Sequence, residues 1–205
     1  MKKLLVITSA LLLTCAAAAA HADSVTYLVS VDTSSQNGNT GYIDLELNAG
    51  SLPAADVMAT VSGFNGATPD SGDLFTLGTN GTLPGDVSFD NQTPNDYFEA
   101  LTFGNSVSFL VTLSGPGVSP TGSISSDAGT DFQLEFLDPS QSSFLFTNDP
   151  NGPAAIIAIA NDGSVSAEAQ PGSAVAPTPE PATLSLVALG GVLMLAARRW
   201  RPRAA

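Results

Sequence analysis

The chain has 205 residues, and its 19 acidic against 6 basic residues give a net charge of −13. All Lys and Arg fall at the two ends, so residues 23–197 hold every carboxylate and no Lys, Arg, His or Cys. Such a polyanion suits neither nucleic acid nor anionic lipid headgroups, whose phosphates are bound through Lys and Arg, and it lacks the cations that phosphoryl transfer uses.

The first element in chain order is an export signal. Met1, Lys2 and Lys3 form a short basic start, residues 4–20 are apolar, and Ala20-His21-Ala22 fits the small-x-small pattern of a secretory cleavage site. Cleavage is expected after Ala22, which makes residues 1–22 a signal peptide and removes Cys15 and His21 with it.

The next elements are strands. SVTYLVSVD (24–32) alternates and is rich in β-branched residues, and GYIDLELN (41–48) sets Tyr42, Asp44 and Glu46 on one face against Ile43, Leu45 and Leu47 on the other. Further strands are predicted at 57–64, 86–90, 97–103, 106–114, 131–138, 143–147, 154–160 and 163–169. They are separated by turn clusters such as SSQNGNTG, GATPDSGD, DNQTPND and TNDPNGP. Short strands with this punctuation argue an all-β ectodomain over 23–169, a single antiparallel β-sandwich of jelly-roll kind. Its roughly 150 residues suffice for one core without disulfides. Inward positions are expected at alternate residues of 25–31, 43–47, 109–113, 132–136 and 157–159, with Phe103. Asp162-Gly163 marks a tight hairpin turn.

After Ala169 the texture changes. Residues 170–181 are rich in Pro, Ala and Ser, with Pro171, Pro177, Pro179 and Pro181, and read as an extended linker. Residues 182–197 carry no charge. As a helix they cover about 24 Å against a hydrocarbon core near 30 Å, a deficit that local thinning and snorkelling arginines make up. A transmembrane helix is therefore expected there. Arg198, Arg199, Arg201 and Arg203 would stop transfer and hold residues 198–205 in the cytoplasm.

The order of these parts, a linker, Pro179-Glu180-Pro181, a short apolar helix and an Arg-rich end, resembles the PEP-CTERM sorting signal of Gram-negative bacteria. The resemblance implies recognition at Pro179, Glu180 and Pro181 by a membrane-embedded exosortase that processes the chain near this motif. Arg198 and Arg199 would act as the stop-transfer group. It also implies an exopolysaccharide-producing host and a transient inner-membrane anchor, with the product then at the cell surface or outside. The stretches 31–51 and 95–105 look like a recurring ectodomain type found before such tails, one to which no activity is attached.

Chemistry is sparse. A Ser-His-Asp triad, a thiol nucleophile and an ordinary zinc site are excluded by composition. A two-carboxylate glycosidase would draw on Glu46, Glu99, Glu135 or Glu168, but each alternates with apolar neighbours or sits near a strand end, which reads as outward and solvated. Calcium is the ligand the composition favours. Asp70, Asp73, Asp138 and Asp149 are its candidate donors in loops, although the same residue types also form turns. The function expected is that of an exported surface or extracellular-matrix protein, not an enzyme, with a structural or adhesive role in an exopolysaccharide or biofilm. Its partners would be the secretion machinery, the exosortase and extracellular polysaccharide. The alternative is a secreted carbohydrate-active enzyme or binding module using acidic residues.

Overall fold

The computed structural model describes residues 24–119, 122, 124–149 and 152–178. The expected signal peptide (1–22), sorting motif (179–181), transmembrane helix (182–197) and cytoplasmic arginine tail (198–205) lie outside the described residues. Among the described residues no helix is long and apolar enough to cross a membrane.

The described chain is all-β. The strands are β1 (Ser24–Asp32), β2 (Thr40–Ala49), β3 (Met58–Leu77), β4 (Val87–Asp90), β5 (Asp96–Ser114), β6 (Thr130–Leu137), β7 (Ala155–Ile159), β8 (Val165–Ala169) and β9 (Ser173–Pro177). One 3-10 turn, Ser34–Gln36, follows β1. These nine strands form one unclosed antiparallel sheet in the order β4-β3-β5-β2-β6-β7-β8, with β1 on β5 and β9 on β1.

Two long strands hold the sheet together. The second half of β5 pairs with β1, from Ser24↔Ser114 to Asp32↔Ser106, and its first half pairs with β2, from Thr40↔Thr102 to Leu45↔Tyr97. β3 follows β5 along both halves. Where they pass from one half to the other, their backbones come too close for side chains. A Cβ on Gly104 would lie 2.1 Å from the Gly66 carbonyl oxygen, and Gly66 itself has φ +94°. Only glycine accepts both conditions.

The sheet folds back on itself. Phe89 on β4 and Phe132 on β6 have ring centroids 5.8 Å apart in an edge-to-face pair. In a flat sheet the three strands between them would separate them by about 19 Å. The two inner faces thus share one core in a sandwich-like arrangement. The expected inward positions on β1, β2, β5, β6 and β7 are buried, with Val25 only partly so. Emptying any of the fully buried leucines, such as Leu45, would cost about 2–5 kcal/mol.

Four expectations are corrected. The segments 97–103 and 106–114 are one strand, β5. GATPDSGD (66–73) is not a free loop but the irregular middle of β3, with register shifts between Ser62 and Asn65, Asn65 and Ala67, and Asp70 and Leu74. That half of β3 is a sheet edge, which is why Pro69, with no N–H to give, is tolerated. Residues 143–147 form no strand, only a bridge from Phe144 to Leu137. The expected linker from 170 begins too early. Residues 173–177 are β9, zipped to β1 from Tyr27↔Pro177 to Val31↔Ser173, and the compact unit extends from Asp23 to Thr178. Val175 packs against the core, so the proline-rich composition conceals an inward residue.

The Asp162-Gly163 turn joins β7 to β8 as expected. Gly163 has φ +82°, and the Ser164 amide donates to Asp162 Oδ1 at 2.9 Å.

Candidate functional site

The residues with chemistry gather on the outer face of the half built from β3, β5, β2 and β6. Alternation dictates this. With Ile43, Leu45 and Leu47 buried, Tyr42, Asp44 and Glu46 must face outward. Register then brings partners beside them: Phe98 of β5 lies opposite Asp44 and Phe75 of β3 opposite Phe98, while Glu135 of β6 flanks Asp44 on the other side.

Three aromatic rings come from three neighbouring strands. Tyr42 and Phe98 stack with centroids 4.7 Å apart and planes at 15°. Phe75, paired to Phe98 in the ladder, is 53 % exposed. Together they make an apolar platform on this face: Tyr42 and Phe98 turn one face of each ring to the other, and Phe75 is the ring most open to solvent. Its orientation is fixed at one end by the Tyr42 hydroxyl, which donates to Asp73 Oδ2 at 2.7 Å.

Carboxylates border the platform. One oxygen from each of Asp44, Glu46 and Asp96 lies within 4.8 Å of the others. Asp44 Oδ1 and Asp96 Oδ1 are buried and make no hydrogen bond, whereas Glu46 Oε2 accepts from the Asn48 amide. Burial pushes Asp44 up to about 8, helped by the charges of Asp96, Glu46 and Glu135. Burial also raises Asp96, Asp131 and Glu135, the last with help from Glu46. The interaction between them raises Asp44 further and works against the rise of Asp96, so Asp44 is the carboxyl of the cluster that most readily keeps its proton.

The four aspartates expected to bind calcium are not brought together. Asp70 and Asp73 sit on the exposed bulge of β3, where Asp70 Oδ1 accepts from the Gly72 amide and Asp73 from Tyr42. Asp138 caps its own turn, accepting from the Ser142 and Ser143 amides at 2.9 and 3.2 Å and from Ser140 Oγ at 2.8 Å. These bonds hold it below the usual carboxylate range. Asp149 belongs to a separate turn, in which its amide donates to Thr147 Oγ1. Among the described residues, the set whose oxygens would suit a hard cation is instead Asp44, Glu46 and Asp96.

The glutamates divide differently from expectation. Glu46 and Glu135 face outward and Glu168 is exposed on β8, as predicted. Glu99 is not outward: its exposure is 0 %. It lies on the same face of β5 as Tyr97 and Leu101, opposite Ile43 of β2, so the strand's parity carries it into the core.

Sequence reasoning passed over Phe75, Phe98 and Asp96. The signal for Phe98 was the alternation of 96–104; Phe75 carried none, because the Asp70/Leu74 bulge resets its register. The residues expected to act in sorting (Pro179, Glu180 and Pro181), in signal cleavage (Ala20 and Ala22) and in stopping transfer (Arg198, Arg199, Arg201 and Arg203) lie outside the described residues. No family model, curated protein or solved structure matches the chain.

Proposed function

We propose that this chain is an exported protein of an extracellular polymer layer whose domain binds uncharged polysaccharide and holds it without cleaving it. In finer architectural terms the domain is an antiparallel β-sandwich of the jelly-roll kind. The signal peptide and the PEP-CTERM-like tail supply the address, with exosortase processing near Pro179-Glu180-Pro181 and release from a transient inner-membrane anchor to the surface. The observation that carries the binding reading is the Tyr42–Phe98 stack continued by exposed Phe75. Sugar rings lie with their C–H faces on such a platform, and the neighbouring carboxylates accept from sugar hydroxyls. The sign of the charge selects the ligand: without a single Lys or Arg between residues 23 and 197, an anionic polymer would be repelled. Both ends of the domain also meet. The Thr178 amide donates to the Thr26 carbonyl at 2.8 Å, so the chain leaves beside where it enters.

A second reading rests on the Asp44, Glu46 and Asp96 cluster, whose oxygens lie within 4.8 Å of one another. A carboxyl that keeps its proton beside ionised ones can serve as the general acid of a glycosidase. One experiment separates the two. Residues 23–178 are incubated with a panel of neutral and acidic polysaccharides, and both retention and new reducing ends are measured. Retention on neutral polymers without new ends supports binding; ends that vanish in Asp44→Asn establish hydrolysis. The sorting claim has its own test, the intact mass of protein recovered from cells. Mature protein still ending at Ala205 would contradict it.

A further inference from the structure

The other half of the sheet, built from β9, β1, the second half of β5 and the first half of β3, has an outer face of opposite character. Its outward positions are those between the buried ones: Thr26 to Ser30 on β1, Ser108 to Thr112 on β5, Met58 to Ser62 on β3, and Ala174 with Ala176 on β9. All are Ser, Thr, Ala, Leu or Met. Carboxylates appear only at strand ends, as Asp32 and Asp90. Leu28 is 43 % exposed and Met58 49 %, and Leu28 pairs with Leu110 on one side and Ala176 on the other.

We infer that this charge-free face is where two copies of the domain meet. The charge pattern commits the occupant. Every ionised group between residues 24 and 178 is negative, so contact between copies through the Asp44 face would set carboxylate against carboxylate, whereas this face buries none. A second copy is self-complementary here, since a two-fold axis near Leu28 lays the apolar centre of one face on the same centre of the other. Two of the hydroxyls at its centre are already paired: Thr26 Oγ1 and Thr112 Oγ1 bond each other at 3.0 Å, which lowers the cost of covering them. The size suits a weak, reversible contact. Four strands about 4.8 Å apart, two of them roughly 30 Å long and two roughly 17 Å, offer on the order of 450 Å² per copy, or about 900 Å² in total, the range of transient interfaces. The glycan-binding platform lies on the other half of the sheet, so this inference does not rest on the proposed function.

The test is sedimentation of residues 23–178, a unit whose core is complete within itself, at physiological and at molar salt. The expected result is a reversible dimer that tightens at high salt, because screening removes the residual repulsion between the rim carboxylates. Leu28→Asp should weaken it roughly tenfold or more with unchanged circular dichroism. As a second measurement on the whole exported chain, Leu28→Cys should form a disulfide-linked dimer under mild oxidation and Glu135→Cys should not. A monomer at every concentration in both salts would overturn the inference. So would a dimer that Leu28→Asp leaves intact, or one broken by Tyr42→Ala instead.

Discussion

Tyr97 and Glu99, two residues apart on the same face of β5, are bound to each other inside the core: the Tyr97 hydroxyl donates to Glu99 Oε2 at 2.5 Å. The same hydroxyl accepts from the Leu83 amide at 2.8 Å, and Glu99 Oε1 is buried without a hydrogen bond. Burial, with the charge of Asp70 adding to it, raises the Glu99 carboxyl. Tyr97→Phe removes the acceptor of one buried amide and the donor to the carboxyl at once. It should cost about 1–3 kcal/mol for each group left unsatisfied, measured as the loss of unfolding free energy in urea. A change within a few tenths of a kcal/mol would show that the pair is not closed in solution.

Stability should fall as pH rises. Asp44 holds its proton in the folded domain up to about pH 8 but releases it near 3.8 when unfolded. Its contribution is therefore fully present below about pH 4 and lost as pH climbs through about 8. Glu99, Asp96, Asp131 and Glu135 are shifted the same way. Asp32, Asp138 and Asp162 are lowered by hydrogen bonds, and their contributions are lost only at the acid end. The thermal midpoint should decline from about pH 5 to 8, and Asp44→Asn should flatten that decline and melt higher than the parent at pH 8. A parent midpoint that rises over this range would contradict the burial of Asp44 among its acidic neighbours.

The outer aromatics should matter to ligand and not to fold. Phe75 is more than half exposed, so Phe75→Ala should leave the midpoint nearly unchanged. Its retention on neutral polysaccharide should drop about 2–10-fold, the worth of one aromatic contact. Tyr42→Ala should do the same with a somewhat larger cost in stability, since it also ends the stack and the bond to Asp73. Equal retention by both variants would remove the platform from the account.

The domain boundary is testable by truncation. A chain ending at Ala169 loses β9, the cover that Val175 gives the core and the ladder along β1. It should melt several degrees below one ending at Thr178. Identical midpoints would return residues 170–178 to the linker.

Period-two alternation made much of this legible. The inward residues of β1, β2, β6 and β7 and the outward acids of β2 follow from it directly. It failed where alternation was ambiguous or broken. In 96–104, Phe98 and Ala100 make the outward parity apolar as well, yet Glu99 shares the parity of Tyr97, Leu101 and inward Phe103, and it lies opposite Ile43 in the core. Asp96 reaches Asp44 through the same cross-strand register, over fifty residues of sequence. The β3 bulges use Gly, Pro and Asp, the residues that mark a loop, which hid both the strand and Phe75. In β9, proline and alanine dominate, and the ladder to β1 is non-local.

The central claim is that neutral polysaccharide binds on the Tyr42 face, and amide chemical-shift mapping of residues 23–178 with a soluble neutral oligosaccharide tests it most directly. The account predicts shifts centred on 40–46, 73–77 and 96–102, abolished by Tyr42→Ala, with 26–30 of β1 unmoved. Shifts centred on β1, or none with any neutral oligosaccharide while an acidic one binds, would contradict it.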